Sequence, residues 1–214
     1  MLTKLRDLLG YPPLYIALQR GIGTDRLCQR CLDSLGLGPG DLLLDVGCGP
    51  AYYLDRLPEG VRYLGFDIST RYVDYATRRW GHRARFVNGT FTEAQLATLP
   101  PVNAVMMVGL LHHLSDREAE DLLELAARAL APEGTVVSVD NCFEPEQGRV
   151  ARWMSAHDRG QHVREPESLV ALAQKVFKTV DGTVIRGITR IPYSFWMMRM
   201  GNPLPRPDLD RSVE

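Results

Sequence analysis

The segment 41–54 constrains the fold of this 214-residue chain more than any other. Residues 42–46, Leu-Leu-Leu-Asp-Val, form a short apolar run that predicts a buried strand of a parallel sheet. Gly47 and Gly49 follow directly, and two glycines one residue apart let the backbone turn sharply and approach a ligand. The residues from Tyr52 onward are expected to open a helix whose N-terminal amides face that ligand. The segment therefore predicts a strand, a glycine loop and a helix of an α/β fold.

The residues around the loop bear on which ligand it holds. A dinucleotide site uses Gly-x-Gly-x-x-Gly or Ala, so that helix and strand pack closely, whereas this chain has Tyr52 at the third position. Asp45 precedes Gly47 by two residues, where a carboxylate would repel a pyrophosphate and attract a cation. A ligand with an ammonium and a sulfonium group suits these residues better. An NAD(P)-dependent oxidoreductase stays as an alternative.

A second acid follows at the end of the next predicted strand. Residues 63–66 are largely apolar, and the run ends at Asp67, twenty residues after Gly47. In doubly wound folds that bind nucleosides, an acid at this spacing accepts hydrogen bonds from the ribose hydroxyls. Asp67 is therefore a candidate ribose ligand.

The acid, the Gly-x-Gly loop and the ribose acid together resemble the motifs of the class I S-adenosylmethionine-dependent methyltransferases, over roughly residues 38–142. The resemblance implies an α/β fold, a three-layer αβα sandwich around a doubly wound, seven-stranded, mostly parallel sheet of Rossmann-like type. It implies S-adenosylmethionine as the cofactor, S-adenosylhomocysteine as the product, and no metal. It further implies that Asp45 and the loop hold the methionine part and that Asp67 holds the ribose.

Further cofactor contacts are implied by position within this family. Thr90 would meet the adenine amino group with Phe91 beside the ring, although residues 92–95 could supply the polar contact instead. Gly109 and Leu110 end the fourth predicted strand, which places them near the methionine part. The candidate cofactor-binding residues are Tyr15, Asp45, Gly47, Cys48, Gly49, Asp67, Ile68, Thr90, Phe91, Gly109 and Leu110.

The Leu-His-His-Leu element at 111–114 is frequent in members of this family that act on small molecules. Adjacent side chains point in different directions, so at most one histidine enters the site. His113 is the candidate catalytic residue, a general base that takes a proton from an acceptor hydroxyl or amine. The alternative is that His113 anchors the loop by hydrogen bonds, and His112 is the less favoured base. Residues 108–111 lack the Asn- or Asp-Pro-Pro-aromatic motif of enzymes that methylate exocyclic base amines.

Acceptor contacts are expected after the fifth predicted strand. Asp140 and Asn141 lie at its carboxyl end, where such folds bind ligands, although Asp140 could cap the next segment instead. Residues 143–166 interrupt the regular alternation and are expected to form a substrate cap. The alternative is a solvated connection in which Trp153 is buried as packing. The candidate substrate-binding residues are Asp140, Asn141, Trp153, His157 and Arg159.

Three segments make up the expected domain organisation. Residues 1–36 predict a helical extension, and its first helical piece spans 2–9. This extension would cover the cofactor as a lid. Tyr15 would either touch the cofactor or be an aromatic residue of the core. Residues 37–200 predict the methyltransferase domain, with its last strand antiparallel to the others. Residues 201–214 contain three prolines and predict a flexible tail.

Composition narrows the function classes. A net charge of −1 gives no basic field of the kind that binding to bulk nucleic acid requires. Cys28 and Cys31 have a Cys-x-x-Cys spacing, but no second pair completes a zinc site, so reduced helical thiols are expected. No apolar run of ~18 residues or signal-peptide pattern is evident, which favours a cytoplasmic protein without a membrane span. A small-molecule methyltransferase acting on O, N or C is expected, with a non-catalytic, cofactor-binding partner protein as a further alternative.

Overall fold

The computed structural model describes residues 10–158 and 160–205. The helix predicted at 2–9, Arg159 and residues 206–214 of the predicted tail lie outside this range. The described helices are α1 (Pro12–Ile22), α2 (Thr24–Leu35), α3 (Thr70–Trp80), α4 (Glu93–Leu96), α5 (Asp116–Ala129), α6 (Arg149–Ala156) and α7 (Pro166–Gln174). The strands are β1 (Leu42–Val46), β2 (Arg62–Asp67), β3 (Arg85–Asn88), β4 (Val102–Val108), β5 (Leu130–Asn141), β6 (Phe177–Ile185) and β7 (Phe195–Pro203).

The seven strands form one sheet in the order β3-β2-β1-β4-β5-β7-β6. The first five strands of this order run parallel, while β7 pairs antiparallel with both β5 and β6. The strand order reverses between β1 and β4, and ligands of doubly wound folds bind beside such a reversal, at the carboxyl ends of the strands. The predicted seven-stranded, mostly parallel sheet with an inserted antiparallel last strand is confirmed.

Helices cover both faces of the sheet, which explains why its central strands are apolar throughout. Leu43 of β1 packs with Cys28 and Leu32 of α2 on one face, whereas Leu44 packs with Leu123 of α5 on the other. All five residues of β1 are buried. A strand covered on two faces reads as a continuous apolar run, and this is the feature that made β1 readable in the sequence.

Side-chain caps fix where two helices begin. The Ser69 hydroxyl accepts a hydrogen bond from the Tyr72 amide at 3.4 Å, so α3 starts directly after β2. At α5, Ser115 and Glu118 form a reciprocal capping box, in which the Ser115 amide donates to the Glu118 carboxylate at 2.8 Å. Such caps satisfy amides that have no partner within the helix. Both helices therefore begin immediately after the loops that surround the carboxyl edge of the sheet.

Two expectations about local structure are wrong. The helix expected from Tyr52 is only a 3₁₀ turn at Leu54–Arg56, because Tyr52, Tyr53 and Leu54 are all buried and three consecutive inward side chains do not suit a surface helix. The tail does not begin at residue 201. β7 continues to Pro203, where Gly201 pairs with Thr179 of β6, so main-chain pairing orders the start of that segment.

Candidate functional site

A cavity of about 370 Å³ opens at the carboxyl edge of the sheet. Its walls come from the glycine loop after β1, the ends of β4 and β5, helices α1 and α6, and the connection between β6 and β7. Among the predicted site residues, it is lined by Tyr15, Gly47, Cys48, Gly49, Gly109, His113, Asp140 and Asn141. The loops that follow separate strands therefore meet at one place, as the reversal of strand order requires.

The glycine loop is held against the end of β2 by Asp67. One carboxylate oxygen of Asp67 accepts a hydrogen bond from the Gly49 amide and the other accepts one from the Ser69 amide, each at 2.8 Å. Gly47 and Gly49 have φ angles of +80° and +55°, a left-handed conformation that glycine adopts without strain. Burial raises the pKa of Asp67, and the two amides partly oppose this shift.

Ile68, the next residue, presents an apolar surface beside this loop. Its side chain is 76% exposed, which is unusual for a large aliphatic residue directly after a central strand. The three residues Gly49, Asp67 and Ile68 thus place a backbone loop, a carboxylate and an apolar side chain at the same strand ends. This combination suits the ribose and the base of a nucleoside.

Asp45 lies beneath the loop rather than in the cavity wall. It is fully buried, and one of its oxygens accepts hydrogen bonds from the hydroxyls of Tyr53 and Tyr63, each at 2.5 Å. Its other oxygen has no hydrogen-bond partner among the described residues. Burial raises the pKa of Asp45 to about 6, although the two hydroxyls oppose the shift. Tyr53, which donates one of these hydrogen bonds, does line the cavity, so Asp45 supports the cavity wall from below.

The N-terminal helices cover the glycine-loop end of the cavity. Tyr15 of α1 lies edge-on to Tyr52, with ring centroids 6.5 Å apart. The Tyr52 hydroxyl is 2.9 Å from the hydroxyl of Thr24, which donates to the Gln19 side chain at 2.7 Å. The Arg190 amide donates to the Ile22 carbonyl at 2.7 Å and joins the end of α1 to the β6–β7 connection. These contacts place α1 as a cover over the loop.

His112 is the centre of a charged cluster at the opposite end of the cavity. Its Nδ1 is 2.7 Å from Asp140 Oδ1, and its Nε2 is 3.4 Å from Asp158 Oδ1. Burial lowers the pKa of His112, but the two carboxylates outweigh that effect and raise it to about 9. For Asp158, burial acts in the opposite direction and raises the pKa. Hydrogen bonds from His112, Gly160 and Tyr193 outweigh burial and lower the pKa of Asp158 to about 2. The cluster therefore holds an imidazolium between two carboxylates at neutral pH.

Asp140 and Asn141 supply polar atoms that the protein itself does not satisfy. Asp140 is 2% exposed, and its Oδ2 has no hydrogen-bond partner among the described residues. Asn141 is 5% exposed, and neither its amide oxygen nor its amide nitrogen has such a partner. Both residues line the cavity. Since buried polar groups in folded proteins are nearly always hydrogen-bonded, these atoms mark a place where a ligand would complete the bonding.

The 143–166 segment is fixed against the histidine loop by backbone and side-chain contacts. The His162 amide donates to the His112 carbonyl at 2.9 Å. The Arg164 guanidinium donates to the Leu111 and Leu114 carbonyls at 2.9 and 2.6 Å. Gly160 packs so closely on His112 that a Cβ atom there would lie 2.0 Å from the imidazole Cδ2. The segment therefore positions Asp158 on His112.

His113, the predicted base, lines the cavity together with His112, so the expectation that at most one of the two histidines enters the site is wrong. Its ring lies beside that of His112, with centroids 4.1 Å apart and planes inclined by 39°. The side chain of His113 is exposed, whereas that of His112 is only 11% exposed. The two neighbours therefore differ in environment: His112 is clamped between carboxylates, and His113 faces the cavity opening.

Several predicted site residues, among them Asp67 and Ile68, lie outside the cavity lining. Thr90 is exposed, and Phe91 is buried against Phe66 at a centroid distance of 5.3 Å. Leu110 packs its side chain against Gly47 beside the loop. Trp153 is 62% exposed and stacks on His157 at 4.6 Å on the outer surface of α6. The structure thus does not bury Trp153 as packing, and on α6 it is Met154 that faces the cavity.

Two residues that complete the acceptor end of the cavity were not among the predicted site residues. Asp158 and Tyr193 meet there although they are 35 positions apart, and the Tyr193 hydroxyl donates to the Asp158 carboxylate at 2.9 Å. His112 was ranked below its neighbour, because sequence gives no signal for which of two adjacent histidines turns inward. The sequence did contain one signal for this contact. Polar residues end the fifth strand at 140–141, and further polar residues follow in the insertion at 157–162.

Among the described residues, the remaining polar and sulfur groups do not form a metal site. Cys28 and Cys31 are buried free thiols on α2, and burial raises the pKa of both, to about 12 for Cys28. Within residues 10–158 and 160–205, no three His, Cys, Asp or Glu side chains are grouped to hold a metal ion. None of the helices described over the same range combines the length and apolar character needed to cross a bilayer.

In a comparison with known proteins, a family model described as "Methyltransferase domain" matches residues 43–134. An uncharacterized methyltransferase of Geobacillus kaustophilus is 27% identical over 142 residues, which are 65% of this chain and 63% of the relative. A second, from Geobacillus thermodenitrificans, is 25% identical over 141 residues, with the same coverages. The matches thus span less than two thirds of the length of these relatives.

Solved structures with the same fold have low sequence identity. A geranyl diphosphate C-methyltransferase from Streptomyces coelicolor, solved with Mg²⁺, geranyl diphosphate and S-adenosyl-L-homocysteine, has a TM-score of 0.61 at 17% identity, covering 82% of this chain and 78% of the other. The N-methyltransferase NodS from Bradyrhizobium japonicum, with S-adenosyl-L-homocysteine, gives 0.62 at 17% identity, covering 84% and 87%. The [4+2]-cyclase SpnF gives 0.64 at 18% identity, covering 83% and 81%. The shared feature is the fold.

Proposed function

Since the chain carries a methyltransferase domain with the class I fold, we propose that it transfers a methyl group from S-adenosylmethionine to an oxygen, nitrogen or carbon nucleophile of a small molecule. The product is S-adenosylhomocysteine. One observation carries this proposal: a single cavity joins the glycine loop and the polar ends of β4 and β5. Cofactor and acceptor would meet inside it, which supplies the orientation that a methyl transfer needs.

The glycine-loop end fits the cofactor. Gly47 and Gly49 bring backbone close to the ligand, Asp67 offers its carboxylate to the ribose, and Ile68 offers an apolar face to the base. A ribose hydroxyl would share Asp67 with the Gly49 amide, since each carboxylate oxygen accepts more than one hydrogen bond. Gly109 would face the methionine part from the end of β4.

The other predicted cofactor residues take more limited roles in this proposal. Tyr15 covers the site from α1, Cys48 lines the loop, and Asp45 acts by holding Tyr53. Thr90 would reach the adenine from the exposed end of β3, whereas the buried Phe91 supports the wall from the core. Leu110 buttresses Gly47.

The acceptor end is suited to orienting a nucleophile. The bound cofactor supplies an activated methyl group, so the protein mainly has to hold the acceptor and exclude water. His113 remains the proposed general base, because it faces the cavity opening. His112 suits proton acceptance less, since its pKa of about 9 keeps it protonated at neutral pH. We assign His112 to positioning Asp140 and Asp158.

A cofactor-binding role without methyl transfer is the second candidate, and one finding favours it. The [4+2]-cyclase SpnF has a similar fold, and its name describes a reaction other than methyl transfer. Binding of S-adenosylhomocysteine alone would therefore not establish transfer. Formation of S-adenosylhomocysteine from S-adenosylmethionine in the presence of candidate acceptors separates the two functions.

The first test is a thermal shift of the purified protein with S-adenosylmethionine, S-adenosylhomocysteine and NAD in parallel. A ligand at about 100 times its Kd, binding only the folded state, stabilises it by about 2.7 kcal/mol. We expect stabilisation by the two adenosyl ligands and none by NAD. Stabilisation by NAD alone would refute the proposal and leave only the fold.

A further inference from the structure

The acceptor end presents a specific set of unsatisfied polar atoms. Asp140 Oδ2 is a charged hydrogen-bond acceptor, and the Asn141 side chain contributes one acceptor and one NH₂ donor group. Both residues are more than nine-tenths buried and line the cavity. Two of the three atoms accept hydrogen bonds, so a complementary ligand must donate them. A buried polar atom without a hydrogen bond lowers the stability of the fold, and a purely structural role would not require that loss.

The charges around these atoms add a second requirement. Asp140 and Asp158 both contact the single imidazolium of His112, and Asp158 already receives hydrogen bonds from Tyr193 and Gly160. Two carboxylates and one cation leave this cluster with a net negative charge. An anionic group brought beside Asp140 Oδ2 would meet a like charge in a poorly solvated place, which is unfavourable.

The cavity wall also contains apolar side chains. Ile22 from α1, Met154 from α6, and Ile191 and Phe195 from the β6–β7 connection and β7 all line the cavity. An acceptor that fills the space must therefore bury a hydrocarbon or aromatic body while its polar group reaches the Asp140–Asn141 corner.

We propose that the methyl acceptor is an uncharged or cationic small molecule, with an apolar body and a hydroxyl or amino group that donates hydrogen bonds to Asp140 and Asn141. A carboxylate or phosphate in that corner is rejected. This inference rests on the proposed function, and it adds the chemical class of the acceptor. Asn141 acts as a substrate-binding residue, and Asp140 sets the charge preference.

Three probes with the same ring test the preference. Benzylamine, benzyl alcohol and benzoate differ in the polar group attached to one phenyl body, and their binding to protein saturated with S-adenosylhomocysteine is measured by NMR titration. We expect benzylamine and benzyl alcohol to bind, and benzoate to bind at least about tenfold more weakly because of charge repulsion. A comparison of the amine with the alcohol shows whether positive charge adds to donation.

A variant distinguishes ligand binding from a structural role. In Asn141→Leu, the unsatisfied amide is replaced by an apolar side chain of similar size, so we expect an unchanged or higher Tm together with about tenfold weaker binding of benzylamine and benzyl alcohol. Asn103→Leu is the matched control. The Asn103 side chain accepts a hydrogen bond from the Leu42 amide at 2.9 Å, at the amino end of the sheet. That control should lower Tm and leave probe binding intact.

Each failure has a separate meaning. Benzoate binding as tightly as benzylamine, or binding by none of the three probes, overturns the acceptor class while leaving the proposed function standing. A Tm loss in Asn141→Leu with unchanged probe binding shows that Asn141 is structural and also overturns it. If wild-type protein fails to bind S-adenosylhomocysteine at all, the proposed function is refuted, and the acceptor class is refuted with it.

Discussion

Asp45 and Asp140 are both buried carboxylates near the carboxyl ends of central strands, yet their partners differ in charge. Asp45 rests against two neutral tyrosine hydroxyls, and burial raises its pKa to about 6. Asp140 contacts the imidazolium of His112 at 2.7 Å. Near the glycine loop, the Asp45 carboxylate is therefore held by neutral hydroxyls, whereas at the acceptor end the His112 imidazolium offsets part of the charge of two carboxylates.

This difference predicts opposite effects of mutation at neutral pH. Removing the cation at the acceptor end leaves two carboxylates without their partner and should destabilise the fold. Removing the charge at the glycine-loop end relieves a desolvation cost and should stabilise it. The two ends can therefore be compared through the free energy of unfolding, independently of any ligand.

The largest effect is expected from His112→Gln. The pKa of His112 rises from 6.5 in its ordinary environment to about 9 in the fold, so its contribution to stability is complete below about pH 6.5 and is lost as the pH rises through 9. This corresponds to roughly 3 to 4 kcal/mol. We expect wild-type stability to fall between about pH 6.5 and 9 and the variant to lack this dependence, as measured by urea unfolding. His82→Gln, at an exposed position, is the control. If His112→Gln kept the wild-type pH dependence of stability, the claim that two carboxylates hold His112 as an imidazolium would be wrong.

A comparable effect of opposite sign is expected from Asp45→Asn. The pKa of Asp45 is raised from 3.8 to about 6, so the folded state holds a proton that the unfolded state releases, and stability falls as the pH rises through this window. The cost at neutral pH is about 3 kcal/mol. Asp45→Asn should therefore be more stable than wild type at pH 7, with the gain vanishing near pH 4. The control is Asp74→Asn, at an exposed position, which should give no such gain. If Asp45→Asn were less stable than wild type at pH 7, the fold would need the ionised carboxylate of Asp45.

A smaller loss of stability is expected from Gly160→Ala. Its Cβ would lie 2.0 Å from the His112 ring and 2.5 Å from the His112 carbonyl, so the 143–166 segment must shift. Overpacking of this kind costs about 2 kcal/mol. Acceptor turnover should fall while affinity for S-adenosylhomocysteine stays constant. Gly148→Ala, in open space at the start of α6, is the matched control. Equal turnover in the two variants would show that the segment does not position the cluster.

The glycine-loop end was largely readable from the sequence because its parts are local. Gly47, Gly49 and Asp67 lie within about one strand–loop–strand unit, and each reflects a backbone requirement of that unit. Even there, the buried environment of Asp45 could not be predicted from the sequence, because it depends on Tyr63 from the neighbouring strand. The position of Phe91 in the core likewise depends on its packing against Phe66.

The acceptor end could be predicted only in part, because it is assembled by long-range contacts. Asp140 and Asn141 were found from their place at a strand end. Asp158 and Tyr193 come from an insertion and a later connection, so no spacing rule relates them to His112. On α6, a difference of one residue decides between Met154 in the cavity and Trp153 on the surface.

The most direct test of the division between the two ends is calorimetric titration of S-adenosylhomocysteine into wild type, Asp67→Ala and Asn141→Leu. We expect wild type and Asn141→Leu to bind equally, and Asp67→Ala to bind about a hundredfold more weakly, since hydrogen bonds to a charged group are lost. Asp74→Ala is the control for Asp67→Ala. Unchanged affinity in Asp67→Ala, or an equal loss in Asn141→Leu, would contradict the assignment of Asp67 to the cofactor and of Asn141 to the acceptor.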